Sequence, residues 1–409
     1  MNFLFAWRYF KAKKSTNAIN IIAWISMAAI IVGSASLIIV LSVFNGFEGL
    51  VKSLYSNFYT DLRISPQTGK TIILTQDQLK QLSSVNGIKG YSLIAEDKAF
   101  VQNGDLNSIV FLKGVDSNYT KISSISEKIV RGKFEPGDAD HANIILGSGI
   151  ENALGVETDK NVLPLSVYLF KKTNGDAYAD PAQFISNENV ATSGTFSIQA
   201  EFDNKYGFTN LGFMKHMLGF ANDEYSAVEI AVNDAKNPDM VKSRLQKLFP
   251  GNYIVQTRYE QNQNLYGVMR TEKWFIYCVL SLILVVAAFN MIGALTMLVL
   301  EKKDDINVLK ALGANDNYIQ RIFLSEGMLL AVMGGAGGIL LAIIICWLQV
   351  RYKLVPIQGG SFLIDYYPVK LVATDFLLVF ITVLIVALIA SWFPSRKAAK
   401  QELQSSVVG

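Results

Sequence analysis

Four stretches without a charged side chain constrain this chain more than any other feature: Ser15 to Phe47, Trp274 to Leu300, Gly327 to Val350 and Phe376 to Ser395. Each reaches the ~20 residues that a helix rising 1.5 Å per residue needs to cross about 30 Å of hydrocarbon. In hydrocarbon a backbone must satisfy its own hydrogen bonds, so the four runs are expected as membrane-spanning helices. A content of 51% hydrophobic and 17% charged residues agrees with that class. Arg8, Lys11, Lys13 and Lys14 precede the first run with no acid among them, and Arg396, Lys397 and Lys400 follow the last. Positive flanks stay in the cytoplasm, which puts both termini and the 301–321 loop there, and an even number of spans fits. The opposing loop, 350–375, nevertheless holds three basic residues, Arg351, Lys353 and Lys370. The first run is more than twice a usual signal-peptide core and ends in SVFNGFEGL without a small-residue cleavage site, so it is read as a retained span.

The remaining composition excludes several chemistries. Cys278 and Cys346 are the only cysteines and both fall inside expected spans, while His141 and His216 are the only histidines. Neither a thiolate metal site nor a His-based nucleophile has material to work with, so no catalytic, metal or cofactor residue is assigned. The net charge of +3 is too small to suggest nucleic acid as a partner. The segment ISPQTGKT at 64–71 resembles a phosphate-binding loop, but Ile64 stands where the first glycine is required. Energised work by this chain therefore needs a nucleotide bound by another protein.

The fold class expected is an α-helical membrane protein with four transmembrane helices and a large α+β domain inserted between the first and second. In order, residues 1–18 form a cytoplasmic interfacial segment, because Trp7, Arg8, Tyr9 and Phe10 mix aromatic and cationic groups. Residues 19–58 are the first span and a stalk beyond it, and 59–270 the α+β domain. The second span is 271–300, a cytoplasmic helix and loop 301–321, the third span 322–350, a short outer loop 351–374, the fourth span 375–395 and a cytoplasmic tail 396–409. Within the outer domain, strands are expected at 61–65, 91–102, 107–114, 227–232 and 253–257, with a turn at Asn103-Gly104 and helices at 76–83 and 238–248. A β-rich middle, about 142–225, reads as an inserted subdomain, and its 171–194 stretch as a long exposed loop or hairpin. A helical stretch from Glu260 leads into the second span. Gly33, Ser34, Ala35 and Ser36 in the first span, and Gly334 and Gly338 in the third, are small enough for helices to pack closely. Asn290, deep in the second span, is expected to hydrogen-bond to another helix.

Between the second and third spans lies LVLEKKDDINVLKALGANDNYIQRIF, residues 298–323. Val308, Leu309 and Leu312 follow Asp305 at helical spacing, Gly313 offers the positive φ of a helix C′ residue, and Asn315 a cap for the next helix. A short amphipathic helix between two spans presents an apolar stripe to something outside the bilayer, and reads as a socket for a partner protein.

VLSVFNGFE at 40–48, VAAFNMIGALTMLVLEKKDDINVLKALGA at 286–314 and WFPSRKAA at 392–399 resemble the LolC/LolE-type permeases of the lipoprotein-releasing ABC system, within the FtsX-like and MacB-like permease superfamily. The first motif is the most specific; Gln401-Glu402-Leu403-Gln404 departs from the family's usual ending. The resemblance implies an inner-membrane permease subunit, not itself an enzyme, that dimerises with the same or a related chain. Glu301, Asp305, Ile306, Val308, Leu309, Leu312 and Gly313 would form the coupling helix that docks on a separate ABC ATPase holding ATP and Mg. The substrates would be lipoproteins, taken from the membrane and handed to a periplasmic lipoprotein carrier. Leu37, Val40, Phe44 and Phe47, facing Trp274, Tyr277 and Ser281, would line a cavity for the acyl chains. LolC-type subunits capture the carrier with a hairpin hook and LolE-type subunits do not; Pro181 marks where a hook would fall. Alternatives within the superfamily are a small-molecule efflux permease and a cell-division signalling permease.

Overall fold

The computed structural model describes residues 17–158, 164–172, 184–234, 237–357 and 364–400. The 1–16 stretch, the 401–409 tail and Pro181 lie outside the described residues. The chain divides into two compact units: Met1–Leu50 with Gly267–Gln358 and Ile364–Gly409, and Val51–Tyr266 with Gly359–Leu363. Among the described residues the helices of eight or more residues are α1 Asn17–Phe58, α2 Gln76–Ser84, α3 Leu211–Leu218, α4 Asp239–Leu248, α5 Gln263–Glu301, α6 Lys303–Ala311, α7 Asp316–Tyr352 and α8 Ala373–Ala399.

In the first unit α1, α5, α7 and α8 are long and apolar enough to cross a membrane. Small residues set how closely they meet. A Cβ on Gly338 would lie 1.9 Å from Ser34 Oγ of α1, and one on Gly327 would lie 2.4 Å from Ser391 Cβ of α8. Such backbone contact replaces the hydrophobic drive that is missing between helices in lipid. The resulting core joins Leu37 and Leu41 of α1, Leu284 and Met291 of α5, Phe323 and Leu330 of α7, and Val379 and Val383 of α8. The helix α5 is the least covered of the four. Asn290 does not make the expected interhelical bond: it is exposed on α5, since Leu284, Ala287 and Met291 occupy the face turned inward. Nor does α5 continue a helix from Glu260. A single turn, Arg258–Gln261, stops at Asn262, and α5 begins afresh at Gln263.

The second unit is built on a ten-stranded mixed sheet and a separate two-stranded pair, with strands β1 Leu62–Pro66, β2 Ile72–Ile73, β3 Ile88–Asn103, β4 Leu106–Val115, β5 Ile129–Gly132, β6 Asn143–Gly147, β7 Leu165–Phe170, β8 Ile185–Phe196, β9 Tyr206–Asn210, β10 Glu224–Tyr225, β11 Ala227–Val232 and β12 Tyr253–Thr257. Its order is β12-β1-β11-β3-β4-β9-β6-β8-β5, with β7 against β3 and β8, and β2 paired with β10 separately. The β-rich middle is not a separate sheet: β9 pairs in parallel with β4 and carries the sheet onward through β6 and β8. The β3–β4 turn falls one residue later than expected. Asn103 pairs with Leu106, leaving Gly104 and Asp105 as a two-residue loop in which Gly104 takes φ +58, the positive φ that such tight turns demand. Of the 171–194 stretch, expected as a loop or hairpin, the part from Ile185 onward is strand, and residues 185–190 pair antiparallel with β7 as the second arm of a hairpin.

Candidate functional site

The short helix α6 is fixed by local chemistry at both ends. The Gly313 N–H donates to Lys310 O at 3.0 Å and Ala314 N–H to Leu309 O at 3.0 Å, with Gly313 at φ +92. That is the pair of bonds by which a glycine at C′ closes a helix. Asn315 Oδ1 then accepts the Tyr318 N–H at 2.9 Å and starts α7. Ile306 is buried in the core with Ile319, Phe323 and Ala398, which anchors α6 to the helix bundle. Lys310 Nζ donates to Ala399 O at 2.7 Å and pairs with Asp316 at 3.0 Å, tying α6 to the end of α8 and the start of α7. Asp305 pairs with Lys302 at 3.1 Å, and Glu301 is the half-buried last residue of α5. The stripe of three is uneven. Val308 and Leu312 are 59% and 79% exposed, whereas Leu309 is half-buried. Val308 and Leu312 stand two and six residues after the buried Ile306, which puts them on the opposite side of the helix.

The seven residues expected around an acyl cavity have different surroundings within the single chain. Leu37 is fully buried in the core, because it stands four residues after Gly33, on the face that meets Leu284. Tyr277 turns to α8, its hydroxyl bonded to Thr382 Oγ1, and the Ser281 hydroxyl donates back to Tyr277 O at 2.7 Å. Phe47 packs edge-on against Tyr367 in the loop between α7 and α8, with centroids 5.9 Å apart. Val40 and Trp274 are exposed at 37% and 53%, and Phe44 is half-buried.

The motif VLSVFNGFE has a structural meaning of its own. Asn45 Nδ2 donates to Asp375 Oδ2 of α8 at 2.6 Å, and Lys273 Nζ of α5 donates to Asn45 Oδ1 at 2.8 Å. Lys273 and Asp375 complete the triangle as an ion pair at 3.2 Å. Three helices are thereby clasped through one amide, with Asn45 and Asp375 both buried. Beside it, a Cβ on Gly46 would lie 2.1 Å from Pro368 O, and the Lys370 N–H donates to Ser42 O at 2.9 Å. So the α7–α8 loop lies directly against this turn of α1. The sequence reading missed the clasp although its signal was present. Lys273 and Asp375 each stand one residue outside an uncharged run, and Asn45 lies inside the most specific motif.

The α+β unit holds a second buried polar cluster. Lys113, 2% exposed, pairs with Glu229 at 2.8 Å, and Arg63 pairs with Glu229 at 3.0 Å and with Glu96. The Lys113 ammonium also sits 4.9 Å from the Phe58 ring centroid at the end of α1. Burial by itself would raise the Glu96 carboxyl, but Arg63 and then Lys113 outweigh it and hold the group below the usual carboxylate range. Burial would likewise lower Lys113, and the neighbouring Glu229 more than reverses it. On the surface, Phe100, Ile109, Phe170 and Ile185 are 40–70% exposed around a largely apolar hollow of about 600 Å³. An aqueous domain seldom leaves such a patch uncovered. Both histidines, with Asp140 and Glu188, line a separate polar hollow of about 580 Å³. No group of three metal-ligating side chains occurs among the described residues.

Comparison with known proteins places these features. The model of the MacB-like periplasmic core domain matches residues 23–248, and that of the FtsX-like permease C-terminal region matches residues 277–403. The lipoprotein-releasing system transmembrane protein LolE of Haemophilus influenzae is 29% identical over 97% of both chains. Two proteins named as the LolC counterpart are similar over comparable lengths. That of Xylella fastidiosa is 24% identical over 96% of this chain and 95% of its own. That of Neisseria meningitidis is 25% identical over 97% and 96%.

Proposed function

Because this chain belongs to the family of the MacB-like periplasmic core domain and ends in an FtsX-like permease region, we propose that it is the permease subunit of an ABC transporter that releases lipoproteins from the inner membrane. The observation that carries the reading is the similarity to a lipoprotein-releasing permease from end to end, 97% of both chains. In this reading α1, α5, α7 and α8 span the membrane, both termini and α6 are cytoplasmic, and the α+β unit stands in the periplasm between the first and second spans. ATP and Mg belong to a separate ATPase, for which Val308 and Leu312 offer an apolar contact. A second permease subunit, the same chain or a related one, covers α5, where Phe275, Val286 and Phe289 are more than 60% exposed and Asn290 offers an amide.

The physical task explains why energy enters. Acyl chains gain nothing by moving from lipid to an apolar pocket, but exposing them to water costs ~0.8 kcal/mol per CH₂, tens of kcal/mol for whole chains. ATP-driven closure therefore delivers the anchor to a protein carrier and not to water. Within this chain Phe44 and Trp274 remain available to acyl chains, whereas Leu37, Phe47 and Tyr277 are engaged with this chain's own residues and Val40 lines a groove beside α7. The patch of Phe100, Ile109, Phe170 and Ile185, at the end of the β7–β8 hairpin where the two strands are connected, is the surface on which the carrier docks.

The test is reconstitution of the chain with its ATPase in proteoliposomes containing an acylated lipoprotein. Soluble lipoprotein is expected only when carrier and hydrolysable ATP are both present. Replacing Ile109 and Phe170 together by Ser should lower release several-fold at unchanged ATPase activity. An ATPase-active complex that leaves the lipoprotein in the membrane would overturn the assignment.

A further inference from the structure

The membrane unit contains an apolar groove of about 520 Å³ that the transport reading does not use. It is lined by Val40 and Val43 of α1, Ile345 and Leu348 of α7, and Leu354 and Val369 of the loop that joins α7 to α8. No residue of α5 lines it, so it is distinct from a cavity between the first and second spans. Gln349 closes one side: its amide donates to Val355 O at 3.1 Å and accepts the Val355 N–H at 3.0 Å, which pins the loop against α7. The amide being satisfied in this way, the groove offers an occupant carbon.

The chain next to the lining residues is different in character. Arg351, Lys353 and Lys370 follow the lining residues Gln349 and Val369 by one to four positions, against a single acid, Asp365, in the described part of the loop. These are the three basic residues that run against the charge bias expected of an outer loop. Lys353 is the only non-glycine residue at positive φ among the described residues, at +52°. A side chain in that conformation is strained, and strain retained in a fold marks a site worth explaining. Here it ends α7 and sets the ammonium 4.3 Å from the Tyr366 ring centroid. Trp347, Tyr352, Tyr366 and Tyr367 gather around the same end of α7 and its loop, as aromatic side chains do at the level of lipid headgroups. An apolar groove with cations and aromatics on the chain beside it suits the acyl chain and phosphate of one phospholipid molecule.

We propose that this groove binds an anionic phospholipid, one acyl chain lying between α1 and α7 and the phosphate held by Arg351, Lys353 and Lys370. The occupant is a lipid of the surrounding leaflet and not the transported lipoprotein, whose chains would enter beside α5. The site explains why the motif that begins at Val40 is built as it is: Val40 and Val43 face the acyl chain, while Ser42 and Gly46 hold the loop that carries the cations. The proposal rests on membrane embedding alone and stands or falls separately from lipoprotein release.

The test uses the full-length protein in nanodiscs of equimolar phosphatidylglycerol and phosphatidylcholine, without lipoprotein, followed by detergent extraction and native mass spectrometry of retained lipid. Wild type is expected to keep phosphatidylglycerol several-fold over phosphatidylcholine. Replacing Arg351, Lys353 and Lys370 together by Gln should abolish that preference, and Val40→Trp, which fills the groove, should abolish retention of either lipid. Should Val40→Trp fail to accumulate, Ile345→Trp fills the same space from α7. Equal retention of the two lipids by wild type overturns the proposal. So does a preference that survives the groove-filling variant, which would reveal adsorption of headgroups to the loop surface only.

Discussion

Asn45 satisfies a lysine and a carboxylate at once, and both of its neighbours depend on it. The residue is 5% exposed, Asp375 is 8% exposed, and each atom of the Asn45 amide meets a partner from a different helix. A buried ion pair adds little over a well-packed apolar pair, but removing one member leaves the other unpaired. Asp375→Ala should therefore cost ~3 kcal/mol, since it strands Lys273 as well as Asn45. The measurement is thermal unfolding of the detergent-purified protein, where a fall of several degrees is expected; Asp375→Asn should fall less, because an amide still accepts from both donors. An unchanged midpoint for the alanine variant would show that water already serves these groups. The sequence displayed all three residues, and Gly46 beside them, yet their meeting is not written locally. Asn45 and Asp375 are separated by 330 positions.

Among the elements, α6 was the most legible, and its outward face is uneven. Its stop at Gly313 and the cap at Asn315 follow from φ and hydrogen-bonding rules that act within four residues. Which apolar side chain points inward follows instead from what α7 and α8 present, and they take Ile306. Helical spacing alone groups Val308, Leu309 and Leu312, while burial separates Leu309 from the two exposed members. Val308→Asp together with Leu312→Asp should abolish copurification of the ATPase, a loss of at least ~10-fold, if each buried side chain contributes about 1.5–3 kcal/mol to that contact. Leu309→Ala should reduce it less. Pull-down from membranes with matched permease levels distinguishes these outcomes, and full ATPase recovery with the double variant would move the docking site elsewhere.

At the scale of the whole molecule, the two units are stabilised by different physics. The bundle relies on small residues and on polar ties such as the Asn45 clasp in an apolar medium, while the α+β unit folds in water around apolar clusters and the Arg63–Glu96–Lys113–Glu229 group. Because Glu96 is held below the usual carboxylate range, its contribution to stability is present above its unfolded pKa of about 4.3 and is lost as pH falls through the lowered folded value. The raised Lys113 keeps its charge throughout that window. Lys113→Met removes the cation between two acids and should destabilise the unit by ~3–5 kcal/mol at neutral pH. The deficit should shrink on acidification below about pH 4, as the stranded carboxyls protonate. Far-UV circular dichroism against temperature at both pH values reads this directly, and a deficit independent of pH would point to lost packing instead of lost charge.

By itself the sequence determined the four spans, the flanking strands of the α+β unit, the helix stops and caps, and the family. These are set by runs, periods and single residues acting on their near neighbours, since a helix in lipid and a cap at its end complete their hydrogen bonds within a few positions. Only the tertiary structure decided that β9 extends the sheet from β4, that Leu37 is buried in the bundle core while Tyr277 meets Thr382, and that Asn45 clasps Lys273 and Asp375. It likewise decided that an apolar groove lies between α1, α7 and the loop that joins α7 to α8. Each of these joins residues far apart in the chain, and which face of an element is buried depends on the shape of a partner that local sequence does not contain.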